Sequence, residues 1–281
     1  MKDNQYWKDR DEMKELLIQY NNFKTGKQFS FIEEESFQRL IDYFDENDKL
    51  SSALEAVNFA IEQFPYSSSL YIRKADILIA TQNYYEGLSL LEKAEVLDSN
   101  DINLYLLKTD AYLALDFQEK AATLLDQAIA AFDGEDKIEL LFELADVYDD
   151  YEDFEKVFNC LQLILEQDPT NEEALYKICF WADYTGKNEE SIKIHEKIID
   201  EHPYSHLAWF NLGTAFQGLK LYEKSIDAYL YAIAIDEKFD YAYRNLGDAY
   251  LRLRKYRDAI EALQKVLELS MPEDVIYEAI G

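Results

Sequence analysis

Two consecutive stretches of this sequence align without a gap. HLAWFNLGTAFQGLKLYEKSIDAYLYAIAIDEKF at 206–239 stands over DYAYRNLGDAYLRLRKYRDAIEALQKVLELSMPE at 240–273. Trp209 falls over Tyr243, Leu212-Gly213 over Leu246-Gly247, Phe216 over Tyr250 and Tyr222 over Tyr256. Stepping back by 34 residues gives units at 172–205 and 138–171; a two-residue insertion near Gly134–Lys137 intervenes, and units at 102–137, 68–101 and 34–67 precede it. A repeat of this length constrains the fold more than any other feature. Each unit is too small to bury its own apolar face, so neighbouring units must stack.

The columns of the repeat have physical reasons. The fourth position is large and apolar: Phe37, Tyr71, Tyr105, Leu141, Leu175, Trp209 and Tyr243. The eighth is mostly small (Ala75, Thr109, Ala145, Cys179, Gly213, Gly247), as is the twentieth (Ala53, Gly87, Ala121, Ser191, Ser225, Ala259). Small residues on both members of a helix pair let two backbones approach closely. The twenty-seventh is Ala60, Ala94, Ala128 or Ala232 in four units and Ile164, Ile198 or Val266 in the others. Pro65, Pro169 and Pro203 stand where a second helix must stop, and Gly186 lies in a turn between two helices. With only 4 Pro and 8 Gly in 281 residues, a nearly all-helical chain is expected.

These columns closely resemble the tetratricopeptide repeat family: aromatic at 4, Leu-Gly at 7–8, Tyr at 11, Ala at 20 and 27, Pro at 32. The resemblance covers residues 34–281. Ile41 and Val157 depart from it by filling small-residue columns, Ala182 replaces an aromatic, and Phe117 comes one place early. It implies an all-α solenoid of antiparallel helix pairs wound into a right-handed superhelix, the first helix of each pair lining the concave face. Residues 1–33 lie outside the repeat. Met13, Leu16, Leu17 and Tyr20 follow helical spacing, so roughly 5–22 reads as a helix capping the first repeat.

Charge narrows the partners. The chain holds 28 Lys and Arg against 57 Asp and Glu. Nucleic acid binding rests on basic surface, so no nucleic acid partner is expected, and anionic membranes are disfavoured for the same reason. The excess is uneven: residues 34–205 carry 13 basic and 39 acidic side chains, residues 206–273 carry 9 and 10. No stretch approaches a membrane span or a signal peptide. Cys160 and Cys179 are too few for a disulfide framework, and a reducing cytoplasm is the expected setting.

No phosphate loop, nucleophile elbow or zinc-protease helix is present, so no enzyme, cofactor or metal site is expected. His202 and His206 flank a turn without a third ligand to complete a metal site. His195 stands in a column otherwise filled by Val57, Leu91, Leu125, Leu161, Tyr229 and Leu263, which reads as a packed helix interface.

If first helices line a groove, positions 2, 5, 6, 9, 12 and 13 form its surface. Two regions emerge. The ninth column reads Asp42, Asp76, Asp110, Asp146, an acidic ladder thickened by Glu139, Glu143, Asp149 and Asp150 and met again at Asp248. Asp is a poor mid-helix residue, so the recurrence needs a reason. Either the ladder receives a basic segment, or Arg39 and Arg73 pair with Asp42 and Asp76 three residues on and the rest is a solvated face. The second region holds Tyr176, Lys177, Phe180 and Tyr184, then Phe210, Asn211, Thr214 and Gln217, then Tyr241, Arg244, Asn245, Asp248 and Arg252. Rings, amides and guanidinium groups in one groove suit an extended peptide. The family's clamp for chaperone C-termini needs Lys and Asn, then Asn, then Lys and Arg. Tyr176, Phe180, Asn211, Tyr241 and Asn245 stand there instead, so that subclass does not fit, and starting from Gln38, Asp42, Arg73, Asn103 and Leu107 fits worse.

The expected function is therefore a non-catalytic scaffold binding a peptide or protein segment in its groove. The alternative is a regulatory or targeting arm of a longer protein whose activity lies downstream. Self-association through exposed repeat ends is a third reading. Asp274–Gly281 reads as the first half of a helix opening an eighth repeat, with Tyr277 over Trp209 and Tyr243, and so as a truncation.

Overall fold

The computed structural model describes residues 2–25 and 31–269, so the expected eighth repeat lies outside the described residues. Those residues form 15 α-helices and no strand. The chain divides into two compact units, residues 1–130 and 131–281. The first contains α1 (Lys2–Lys24), α2 (Glu34–Glu46), α3 (Leu50–Gln63), α4 (Ser68–Ala80), α5 (Tyr84–Leu97), α6 (Ile102–Ala114) and α7 (Gln118–Ile129). The second contains α8 (Gly134–Asp150), α9 (Phe154–Gln167), α10 (Glu172–Tyr184), α11 (Asn188–Glu201), α12 (His206–Gly218), α13 (Tyr222–Ile235), α14 (Asp240–Arg252) and α15 (Tyr256–Leu269). From α2 onward the even-numbered helices lead a pair and the odd-numbered ones trail it.

The small-residue columns become the contact lines between paired helices. Ala53, Ala60, Ala75, Ala94, Thr109, Ala121, Ser191, Ser225, Ala232 and Ala259 are fully buried. Gly213 shows how close the approach is, because a Cβ there would stand 2.6 Å from ring carbons of buried Tyr229. In the pair α14–α15 a Cβ on Gly247 would meet Leu263 at 2.8 Å.

Turns within the pairs share one backbone conformation. Asp48, Gln82, Asp116, Glu152, Gly186, Lys220 and Arg254 all have φ between 57° and 73°, the left-handed region. They recur every 34 residues, with a step of 36 across the insertion. Only Gly186 adopts this φ without steric cost.

Turns between pairs are closed differently. Ser67, Asn171 and Ser205 accept the amide three residues on through their side chains, and Asp101 accepts the amide of Asn103. These N-caps satisfy otherwise orphaned donors of α4, α10, α12 and α6. The fourth-column aromatics lock the same turns. Tyr71 and Tyr105 donate their hydroxyls to the carbonyls of Pro65 and Ser99, and Trp209 donates its indole N–H to Pro203, each six residues back.

In the first unit, α1 lays Leu16 and Tyr20 against Phe37, Leu40, Ile41 and Phe44 of α2 and Ala53, Ala56 and Val57 of α3. Tyr20 and Phe23 make edge contacts with Phe37 and Phe59. Ile41, a departure from the small column, is fully buried in this cluster. Ala182, a further departure, is compensated one place earlier: Trp181 stacks on Phe154 with centroids 4.9 Å apart.

Candidate functional site

Leading helices expose different chemistry in the two units. In the first, a pocket of about 420 Å³ opens between α2, α4 and α6, lined by Gln38, Asp42, Ser69, Ile72, Arg73, Asp76, Asn103 and Leu107. Arg73 dominates it. Its guanidinium reaches Asp76 at 2.5 Å, Asp45 at 2.7 Å and Asp42 at 3.1 Å, tying α4 to α2. Two rungs of the ladder are therefore engaged internally, although one guanidinium shared by three carboxylates leaves the cluster acidic. The expected Arg39–Asp42 pair is not formed: Arg39 lies 3.6 Å from Glu12, because α1 packs beside α2 and offers its own carboxylate. Asp110 has no cation partner among the described residues. Burial first, then the nearby Asp76, push its carboxyl above the usual carboxylate value.

The fourth rung, Asp146, belongs to the second unit. It lies 3.9 Å from Lys177, whose ammonium also meets Glu173 at 2.7 Å and covers the Phe142 ring at 5.2 Å. Burial raises the Asp146 carboxyl. Lys177 works against that rise, whereas Glu173, Asp149 and Asp150 add to it.

The aromatic region falls on α10, α12 and α14. Tyr176, Phe180, Tyr184 and Tyr241 are 53–63% exposed. The first three repeat at i, i+4 and i+8, forming one stripe along α10. Phe180 and Tyr184 are stacked with centroids 6.1 Å apart, and Trp181 and Phe154 support them edge-on. Phe210 is half-buried against Phe239 and Tyr229.

Beside the rings lies a polar pocket of about 330 Å³, lined by Asp183, Thr214, Gln217, Gly218, Lys220, Tyr222, Asn245, Asp248 and Arg252. Four of the expected groove residues are already joined in one network through Tyr229. Buried Tyr229 donates its hydroxyl to Gln217 at 2.9 Å and to Thr214 at 3.4 Å, Asn245 also bonds it, and Gln217 donates to Asp248 at 2.8 Å. Arg252 extends from Asp248 at 3.5 Å and stays exposed, while Arg244 is half-buried.

Asn211 requires a correction. It is 1% exposed and does not face the groove. Its Nδ2 donates to the Leu175 carbonyl at 2.7 Å and approaches His195 Nε2 at 3.2 Å. His195 Nδ1 lies 2.7 Å from the Ser191 carbonyl, so that nitrogen carries the proton and Nε2 accepts from Asn211. The result is a buried link between α10, α11 and α12. Complete burial holds the imidazole down at about 4, so it is neutral. Burial likewise pushes the Cys179 thiol up to about 11.

Phe142, Trp181 and Asp183 also shape the site, although sequence reasoning did not select them. Asp183 occupies position 12 of its repeat and was legible by that rule; Trp181 occupies position 10 and was not. Among the described residues no helix is long and apolar enough to cross a membrane, and no cluster of His, Cys, Asp and Glu has metal-site geometry.

The tetratricopeptide repeat family matches residues 206–239 and, through a second model of the same repeat, residues 240–271. The chain is a tetratricopeptide repeat (TPR) protein. Two solved structures agree on the fold. The C-terminal part of a TPR repeat-containing protein from Cytophaga hutchinsonii is 12% identical and aligns over 86% of this chain and 99% of its own, with a TM-score of 0.59. The Naa15/Naa10 structure bound to HypK-THB is 13% identical over 88% of this TPR chain and 38% of its own, with a TM-score of 0.54. A tetratricopeptide repeat protein from Parabacteroides merdae is 17% identical over 88% and 97%, with a TM-score of 0.46. No curated protein sequence matches the chain. TPR arrays are protein–protein interaction scaffolds, typically without catalysis.

Proposed function

We propose that this TPR protein is a non-catalytic scaffold that holds a segment of a partner protein on the leading-helix face of its second unit. One observation carries the reading: four aromatic rings stand more than half exposed on α10 and α14, beside a polar pocket of about 330 Å³. Exposed rings held by packed neighbours lose little entropy on binding and bury large apolar area. The amides, carboxylates and guanidinium around the pocket suit the backbone and polar side chains of an extended segment. The equivalent face of the first unit has Arg73 engaged with its own carboxylates.

The test is capture of proteins from the native host with three forms of the chain. Phe180→Ala with Tyr184→Ala is expected to lose a protein that the unmodified chain retains, whereas Asp42→Asn with Asp76→Asn keeps it. A photo-crosslinker placed at Tyr184 is expected to label that same protein. Retention by the ring variant, with labelling elsewhere, removes this face from consideration.

A further inference from the structure

The boundary between α8 and α10 carries more information than exposed rings alone. Glu139, Glu143, Asp146 and Asp150 fall at i, i+4, i+7 and i+11 on α8, one stripe of carboxylates, with Asp149 beside it. Tyr176, Phe180 and Tyr184 form the aromatic stripe of α10. Lys177 shows that the two stripes are neighbours, since it leaves α10 and reaches Asp146 of α8 at 3.9 Å.

Lys177 also shows what this chemistry holds. Its ammonium sits over the Phe142 ring at 5.2 Å and beside Glu173 at 2.7 Å, a cation between an aromatic face and a carboxylate. The same two ingredients continue along both stripes beyond its reach. Glu139, Asp149 and Asp150 are exposed and have no cation partner among the described residues. Residues 131–205 hold 21 acidic and 6 basic side chains, so the surroundings share the sign. In the first unit Arg73 already stands among Asp42, Asp45 and Asp76.

We propose that the strip between α8 and α10 receives an extended basic segment of a partner protein, its lysine or arginine side chains set between the α8 carboxylates and the exposed α10 rings. This deepens the reading of the second unit as the partner surface and rests on it. Charge complementarity selects the occupant. An acidic segment would bring like charges together, and an uncharged one would leave the carboxylates crowded and unanswered. Apolar positions between the basic ones would lie on Phe180 and Tyr184, and the long aliphatic stems of lysine or arginine cover ring faces equally well.

The test uses fluorescent synthetic peptides of about ten residues that alternate Leu with Lys, Gln or Glu, read by anisotropy against the full chain. The Lys peptide is expected to bind about tenfold or more tighter than the Gln peptide, and the Glu peptide weakest. Raising salt from roughly 50 to 300 mM is expected to weaken the Lys peptide and leave the Gln peptide nearly unchanged. Asp149→Asn with Asp150→Asn should cost about threefold or more in affinity for the Lys peptide. Phe180→Ala with Tyr184→Ala should cost about tenfold. Asp42→Asn with Asp76→Asn should change nothing. All of these positions are exposed or half-exposed, and matching circular dichroism and unfolding midpoints verify that each variant is folded.

Equal binding of the Lys and Gln peptides overturns the proposal, as does Lys-peptide binding that survives both second-unit variants. Loss of that binding in the first-unit variant also overturns it, because the ladder would then be the site. If the ring variant loses a captured host protein while the peptides show no preference for lysine, the scaffold reading stands and only the basic occupant falls.

Discussion

The two units use one repeat for different electrostatic ends. In the first, the ninth-column carboxylates Asp42 and Asp76 gather with Asp45 around Arg73, which ties α4 to α2. In the second, the ninth column runs Asp146, Phe180, Thr214 and Asp248, and exposed rings stand beside the ion pairs of Lys177 and Arg252. The difference teaches that groove position alone does not make a binding residue. A charged residue there becomes a strut as soon as a neighbouring repeat supplies the opposite charge, whereas an aromatic ring with no cover stays available.

The pH response sharpens this contrast most. All 3 histidines lie in the second unit, and His195 is held neutral down to about 4 against an ordinary value of 6.5. Its folded value is depressed, so the unfolded chain binds the proton first. The stabilisation is complete above about 6.5 and disappears as pH falls towards about 4. About 3 kcal/mol is expected to be lost across that window, following 1.36 kcal/mol for each unit of difference. The Asp110 carboxyl of the first unit has the opposite sign. Its folded value is raised above 3.8, so its favourable contribution is present at low pH and fades as pH rises through the raised value. Amide hydrogen exchange read separately over α4–α6 and α10–α12 should show the second unit loosening first on acidification. His195→Leu with Asn211→Leu should flatten its slope, and an unchanged slope would assign the effect to other groups.

Packing at the glycine columns gives the next effect. Gly213→Ala drives a methyl to 2.6 Å from the ring of a buried tyrosine and is expected to cost about 2 kcal/mol in urea unfolding. Gly247→Ala meets Cγ and Cδ2 of Leu263 at 2.8 Å, a side chain that can shift more readily than a packed ring, and its gain in helix propensity offsets part of the strain. Equal costs for the two would mean that Tyr229 yields as easily as a leucine.

Arg73→Ala tests the first unit directly. Removing the guanidinium leaves Asp42, Asp45 and Asp76 facing each other, with an expected loss of about 1–2 kcal/mol at low salt and less at high salt. A loss insensitive to salt would identify the side-chain stem, and not the charge, as the stabilising part.

The smallest effect is expected at the turns. Lys220→Gly relieves a left-handed non-glycine residue at φ 62°, adding up to about 1 kcal/mol. The same gain should appear at Gln82, φ 64°, in the other unit. A gain in one unit only would show that the shared turn geometry is held by different neighbours.

The helix-pair architecture was legible because small residues in fixed columns can serve only close backbone contacts, and Ala53, Ala75 and Ser191 are buried accordingly. Three features of the site were not legible. Asn211 reads as a groove residue at position 6, but His195 of α11 and the Leu175 carbonyl of α10 draw it inward. Arg39 stands three residues before Asp42, yet α1 offers Glu12 at the other side. Apart from Gly186, the left-handed turn residues were not legible, because Gln82, Glu152, Lys220 and Arg254 give no local signal of positive φ and Asp48 and Asp116 do not mark the column alone.

By itself the sequence determined the period, the helices, the lines along which they touch and the sign of the surface charge. All of these follow from interactions between residues near in the chain or equivalent in the repeat. The tertiary structure decided which polar groups are spent internally and which remain exposed. That choice depends on distances across helices that no period encodes: 2.5 Å from Arg73 to Asp76 and 2.7 Å to Asp45 in one unit, and rings left without cover on α10 in the other.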